Sequence, residues 1–424
     1  MVQVDCAAVG RAANERPTYV RYLEGLRGCA AFYVVLYHVI DHTERNKSGV
    51  AFAKLLPFHG SWLLFGHASV GIFIVISGYV LTLPVVTRGS LAGGAMGFFR
   101  RRSRRLLPAY YAALALSLPF FVLNRDFAGQ STSPAEVAGQ LAAHAVLLQD
   151  LSERFIYAFN GPLWSISVEC QIYLAFVVLL LPLRARFGLL AMIAVGFAIG
   201  FVPTVLNALH PRGPHDALDD ACLWYLGLFA LGSGAAALAH EPSTRYAWLR
   251  DRMPWTALTV ICAAVYLALE LPRTNEPPAR QYLPDVALGL AVASGFLMLA
   301  RQKRLGVPSI PMRVLESKPC MALGGFSYSL YLTHEPMLRA AGSAVSRTAL
   351  PDAAVLATMY ALVLPALLFV AYAFSLMFER PFMGPRPHRA SASHRRVSLT
   401  HTESVAIASP QAPAAEHVAG SAFQ

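Results

Sequence analysis

At 424 residues the chain is 56% hydrophobic and only 14% charged, whereas a soluble domain carries about 25% charged residues. That deficit excludes an ordinary soluble protein and is what repeated membrane spans produce, because charges are kept out of hydrocarbon. The net charge of +11 would suit nucleic acid if it sat on one soluble face, but these charges lie in loops between apolar runs, so the expected partner is the lipid bilayer and not nucleic acid.

The six cysteines (Cys6, Cys29, Cys170, Cys222, Cys262 and Cys320) form no C-x-x-C pair. Neither a disulfide framework nor a structural zinc site is indicated, and no metal is expected. The first residues, M-V-Q-V-D-C-A-A-V-G-R, lack a basic stretch followed by an apolar core, so they do not read as a cleavable signal peptide.

Ten apolar segments are long enough to cross about 30 Å of hydrocarbon. They run approximately over 23–41, 62–84, 104–123, 164–183, 187–206, 221–239, 254–271, 283–300, 321–343 and 353–377. The stretch 136–149, with two Gln, one His and one Glu, suits an interfacial or re-entrant helix better than a span. With the N-terminus cytoplasmic, 24 of the 35 Lys and Arg residues fall on the cytoplasmic side and 10 on the other, Arg27 being the remaining one. Lys/Arg bias sets orientation, so both termini are expected inside. The expected fold is therefore all-α and polytopic, with about ten transmembrane helices. A cytoplasmic tail at 1–18 precedes a membrane domain at 19–380. The Ala-, Ser-, Pro- and His-rich segment 381–424 reads as a disordered cytoplasmic tail.

In chain order, the first segment carries E-G-L-R-G-C-A-A-F-Y-V-V-L-Y-H-V. Arg27 and His38 are eleven steps apart, about 1100° of helical rotation, so they share one face about 16 Å apart along the axis. Ionisable groups inside a span are costly, at least about 2.5 kcal/mol for an Arg-type charge, so the pair reads as a polar site; a snorkelling Arg and a hydrogen-bonded His are the plainer alternative. The second segment holds G-I-F-I-V-I-S-G-Y-V-L-T, where Gly71, Ser77 and Gly78 favour close helix packing. Next come five arginines in six residues, Arg100 to Arg105, with Pro108 behind them to bend the span. They suit either an anchor on anionic lipid or a cradle for a polyphosphate ligand. The fourth segment opens G-P-L-W-S-I-S-V-E-C-Q-I-Y-L, placing Ser165, Glu169 and Tyr173 on one face. The ninth carries F-S-Y-S-L-Y-L-T-H-E-P-M, aligning Ser327, Tyr331 and His334, with Pro336 expected to break the helix.

Together these blocks resemble the integral-membrane acyltransferase type 3 family, whose members O-acylate bacterial surface glycans such as O-antigen and exopolysaccharide. Its first-span pattern, R or K, ten residues, then His, is matched by Arg27 and His38. F-F-x-I-S-G-[FY] is matched by F-I-V-I-S-G-Y, with Ile74 replacing one Phe. R-R-x-x-R-[IL]-x-P-x-Y is matched by Arg101, Arg102, Arg105, Leu106, Pro108 and Tyr110. W-S-[LI]-x-x-E is matched by Trp164, Ser165 and Glu169, and S-Y-x-x-Y-L-x-H by Ser327, Tyr328, Tyr331, Leu332 and His334. The usual D-G-L-R-G opening has Glu24 in place of Asp. The resemblance covers roughly residues 19–380.

It implies an acyl-CoA co-substrate, most often acetyl-CoA, with no bound cofactor. The acceptor would be a hydroxyl of a cell-surface glycan or lipid-linked sugar, and the location the inner membrane of a bacterium. In that picture His38 is the general base, with Glu169 orienting it or stabilising its charged form. Arg27 holds the donor or a developing negative charge, and Arg101, Arg102 and Arg105 bind the CoA phosphates. Ser165, Ser327, Tyr331 and His334 are further polar site candidates. The rival class is a membrane transporter or flippase of a glycan or lipid-linked intermediate, since transporters also combine many spans, intramembrane charges and broken helices.

Overall fold

The computed structural model describes residues 20–46, 62–63, 65–123, 133–209, 222–271 and 282–383, and all regular structure among them is helical. The helices are α1 (Arg21–Asn46), α2 (Ala68–Arg88), α3 (Gly94–Leu123), α4 (Pro134–Val146) and α5 (Leu163–Phe187). They continue with α6 (Leu189–Leu209), α7 (Tyr225–His240), α8 (Ala247–Arg252), α9 (Trp255–Glu270) and α10 (Tyr282–Leu305). The last are α11 (Ile310–Leu315), α12 (Lys318–Gly324), α13 (Ser327–Ser346) and α14 (Asp352–Phe382). The chain divides into two units, 1–383 and 384–424; the second, like the expected tail 1–18, lies outside the described residues. Residues 381–383, read with the tail in the sequence, instead close α14 as a helical turn.

Each of the ten expected apolar segments centres on a helix. Among the described residues, five helices are long and apolar enough to cross a membrane: Arg21–Thr43 of α1, α2, α5, α10 and α14. A sixth is added if Thr244–Arg252 and Trp255–Glu270, bent by 68° at their junction, count as one span. The remainder fall short for visible reasons. α3 is 30 residues long but starts with the arginine cluster, and α7 has only 16 residues, about 24 Å at ~1.5 Å per residue. α4 has 13 residues, about 20 Å, too short to span. It is tied to its neighbours instead. Tyr110 Oη donates to the His144 carbonyl at 3.0 Å, and in the short turn Gln149–Leu151 that follows α4, Asp150 accepts from Gln171 Nε2 at 3.0 and 2.8 Å. Burial raises the Asp150 carboxyl above its usual range, against those two Gln171 bonds.

α7 lies at the centre and is buried on every side from Tyr225 to Ala237, as expected for a helix apolar all round. It packs tightly on α2 because two glycines remove side chains at the contact. A Cβ on Gly78 would meet the Phe229 carbonyl, and one on Gly232 would meet the Val75 carbonyl. The S-G-Y motif therefore serves helix packing through Gly78. A second such contact joins α1 to α12, where a Cβ on Gly28 would strike Gly324 and one on Gly324 the Glu24 carbonyl. This contact seats the Arg27 turn of α1 against α12, and the same helix packs further along on α13.

α13 does not break at Pro336; it runs unbroken from Ser327 to Ser346 with the proline inside. Pro336 cannot donate to the carbonyl four residues back, and that carbonyl, of Leu332, accepts instead from Asn160 Nδ2 at 2.9 Å. The other end of α13 is capped by Glu379, which accepts from the Ser329 amide at 3.2 Å and the Ser329 hydroxyl at 2.5 Å. A carboxylate on a first-turn amide also complements the helix dipole. Glu379 ends a wide π-turn, Ser375–Glu379, in α14.

Candidate active site

A cavity of about 750 Å³ opens between α1, α2, α3, α5 and α13. Its polar lining is contributed by Arg27 from α1, Arg102 and Arg105 from α3, Glu169 and Tyr173 from α5, and Ser77 from α2. Arg102 and Arg105 are three residues apart and share a face; Arg101, four residues before Arg105, is placed near the same side by spacing alone but does not line the cavity. Arg101 is exposed, together with Arg100 and Arg104. Of the three arginines grouped in the sequence, Arg102 and Arg105 line the cavity and Arg101 does not.

Glu169 is held within the cavity. Tyr173 Oη and Ser77 Oγ both donate to Glu169 Oε1, the latter at 3.0 Å, and Ser77 and Tyr173 hydroxyls are 3.2 Å apart. Three guanidiniums thus share the cavity with one carboxylate that accepts from two hydroxyls, and the excess of positive groups suits the cavity to an anion such as a phosphate. Ser165, Ser327 and Tyr331 line the same cavity. Ser165 Oγ donates to the Pro162 carbonyl at 3.0 Å and lies 2.8 Å from Tyr331 Oη. A serine has one hydroxyl proton, so Tyr331 is the donor in that pair.

Tyr331 also leads out of this cavity. Its ring centroid lies 5.7 Å from that of His334, and the His334 ring lies 5.1 Å from that of His38. His334 is fully buried. Its Nδ1 is 2.7 Å from the Tyr331 carbonyl and 3.2 Å from that of Leu330; both are acceptors only, so Nδ1 carries the proton and Nε2 is bare.

His38 therefore lies beyond the cavity that Arg27 lines, although α1 carries both. The carboxylate beside it is Glu335, whose Oε2 is 3.7 Å from His38 Nδ1; Asp41 Oδ2 is at 3.9 Å. Glu169 lies in the arginine cavity, where its Oε1 accepts from Ser77 and Tyr173. Glu335 is fixed from two sides. His42 Nε2 is 2.6 Å from its Oε2, and Arg339 donates to its Oε1 at 2.5 Å. The His38 and His42 rings stack at 5.8 Å.

His42, Asp41 and Arg339 were not among the residues that the sequence singled out, and Glu335 stood out there only as a mid-span carboxylate before Pro336. Two signals were available: His38, Asp41 and His42 stand at i, i+3 and i+4, and Glu335 and Arg339 at i and i+4, both spacings that share a helical face. Donor atoms of His38, His334 and Glu335 lie within 4.8 Å of one another, close enough to share a cation. Both Glu335 oxygens are also engaged by His42 and Arg339.

The sequence profile of a family described as "Acyltransferase domain" matches residues 20–380. Among characterised proteins, the chain is 24% identical over 334 residues to the "Peptidoglycan O-acetyltransferase OatA" of Listeria monocytogenes, covering 76% of this chain and 49% of that protein. It is 26% identical over 298 residues to the "Putative membrane-bound transacylase BcsY" of Komagataeibacter xylinus, covering 68% and 70%. To the "O-acetyltransferase OatA" of Staphylococcus aureus it is 22% identical over 351 residues, covering 76% and 51%. The chain thus spans about half the length of the two OatA proteins. No solved structure matches it.

Proposed function

The chain belongs to the acyltransferase family whose profile covers residues 20–380, and we propose that it moves an acyl group, acetyl in the first instance, from acyl-CoA to a hydroxyl of a cell-surface polysaccharide or lipid-linked sugar. One observation carries this reading: Tyr331 lines the arginine cavity and at the same time packs on His334, which packs on His38. A site for phosphates and a pair of imidazoles are thereby joined through one side chain. The printed names of the relatives, peptidoglycan O-acetyltransferase and transacylase, support the reaction class and a polysaccharide acceptor.

In this reading Arg27, Arg102 and Arg105 grip the CoA phosphates by charge-assisted hydrogen bonds. His38 takes the proton as the hydroxyl attacks the thioester carbonyl, with Glu335 behind it to orient the ring and stabilise its charged form. The protein sits in the inner membrane of a bacterium with about ten spans and both termini cytoplasmic. The arginine mouth then faces the acyl-CoA pool and the His38 end faces outward to the glycan. Short helices such as α7 count as spans because the bundle buries them.

The test uses purified full-length protein in detergent with acetyl-CoA and a glycan acceptor. Acceptor-dependent release of free thiol is expected, and His38→Ala at normal protein level should lose it. No thiol release by the wild-type protein with any glycan offered, alongside glycan movement across proteoliposomes, would replace this reading with transport.

A further inference from the structure

We propose that His334 carries the acyl group covalently, as an Nε2-acyl imidazole, between the thioester in the arginine cavity and the acceptor hydroxyl at His38. This rests on the acyl-transfer reading above and adds a step to it. Three observations converge. The tautomer of His334 is fixed by Nδ1 donation to the Tyr331 and Leu330 carbonyls, so Nε2 presents a lone pair. That Nε2 is buried and has no hydrogen-bond partner, a costly arrangement in a resting protein. His334 also stands between the two halves of the site, beside Tyr331 on the cavity side and beside His38 on the other.

A general base must meet the acceptor, and the partly exposed His38, with 21% of its side chain accessible, is placed for that. An acyl carrier has the opposite need. An acyl imidazole is hydrolysed by water, and a side chain with 0% exposure excludes it. His334 therefore has the burial of a carrier and His38 the exposure of a base.

The steps balance without an oxidant or reductant. His334 Nε2 attacks the thioester carbonyl carbon, a C–N bond forms, the C–S bond breaks and CoA leaves as its thiolate. The resulting acyl imidazolium keeps its Nδ1 proton on the Tyr331 carbonyl, with the Glu335 carboxylate on the adjacent residue to offset its charge. The acceptor hydroxyl then gives its proton to His38 and attacks the acyl carbon. The C–N bond breaks, the electron pair returns to His334 Nε2, and the proton on His38 is released to solvent as the thiolate takes one up.

The test is isotope exchange in the absence of acceptor: labelled CoA is mixed with unlabelled acetyl-CoA and purified full-length protein. Wild type should exchange label into acetyl-CoA, and parallel double-reciprocal lines should follow with acceptor present. His38→Ala should retain exchange while losing transfer to the glycan. His334→Ala and the closer His334→Gln should both lose exchange, by about 100-fold or more. The peptide containing His334 should carry one hydroxylamine-labile acyl group after quenching. Wild type that transfers to the glycan without exchange, through a ternary complex, overturns the carrier and leaves the acyl-transfer reading standing. Wild type that neither exchanges nor transfers overturns both, and exchange lost in His38→Ala but kept in His334→Gln moves the carrier to His38.

Discussion

His38 Nδ1 lies 3.7 Å from Glu335 Oε2 across the α1–α13 contact, whereas Glu169 lines the arginine cavity. The two carboxylates should separate kinetically. Glu335→Gln keeps the shape but removes the charge that stabilises a protonated His38. Its kcat should fall by about 100-fold, in the range general acid–base steps contribute, with little change in KM for acyl-CoA. Glu169→Gln acts in the arginine cavity and should change KM for acyl-CoA by more than it changes kcat. Steady-state kinetics with the acceptor saturating checks both, and a kcat loss confined to Glu169→Gln would reverse the assignment.

The arginine run divides by exposure. Arg102 and Arg105 line the cavity with Arg27, and Arg100, Arg101 and Arg104 are exposed. A hydrogen bond to a charged group is worth about 1.5–3 kcal/mol, or about 10- to 150-fold in an equilibrium constant. Arg102→Gln and Arg105→Gln should each weaken acyl-CoA binding by at least ten-fold. Arg101→Gln should leave it within about five-fold, since a surface charge contributes about 0–1 kcal/mol. Calorimetric titration of the purified variants with a non-hydrolysable acyl-CoA analogue reads this directly; equal losses at all three positions would mean that the exposed row also touches the ligand.

Much of this arrangement was legible in the sequence. The eleven-step spacing of Arg27 and His38 put both on one face of one helix, and the four-residue spacing of Ser165, Glu169 and Tyr173 put all three into one cavity. Periodicity reports which residues share a face of one helix; it does not report which helix stands opposite. That is why the sequence marked Glu335 as a mid-span carboxylate without placing it beside His38. The same blindness applies to Pro336. A proline in an apolar run signals a lost hydrogen bond, but the repair by Asn160 comes from a residue 172 positions away. The count of spans was harder still, because α7 is short and survives by burial from Tyr225 to Ala237, a property of its neighbours.

Cys29 on α1 and Cys320 on α12 place their Sγ atoms 3.4 Å apart, held there by the close contact of Gly28 with Gly324. Bonding requires about 2.05 Å, a closure that small rotations of two cysteine side chains supply. A mild oxidant such as copper phenanthroline should remove two electrons and two protons and form a disulfide between them. Non-reducing electrophoresis and mass spectrometry after alkylation should show two protected cysteines in wild type and none in Cys320→Ser. The bond would pin the Arg27 turn of α1 to α12. Protection unchanged in Cys320→Ser would mean that α1 and α12 do not meet as described.

Asn160 and Pro336 should behave as a coupled pair. Asn160 Nδ2 donates to the Leu332 carbonyl at 2.9 Å and to Ser117 Oγ at 3.1 Å, and only the first bond exists because Pro336 has no amide proton. Asn160→Ala should cost about 1–3 kcal/mol, the penalty for a buried acceptor left unsatisfied. Pro336→Ala restores a backbone donor four residues from Leu332, so the carbonyl no longer depends on Asn160. The double variant Asn160→Ala/Pro336→Ala should therefore lose less than the sum of the single changes, with a coupling of about 0.5–3 kcal/mol as found for residues in contact. Thermal unfolding in detergent of the four proteins gives the cycle. Strict additivity would mean that α13 closes its own ladder around Pro336, and His334 and Glu335 would then owe their placement to α13 alone and not to the loop that carries Asn160.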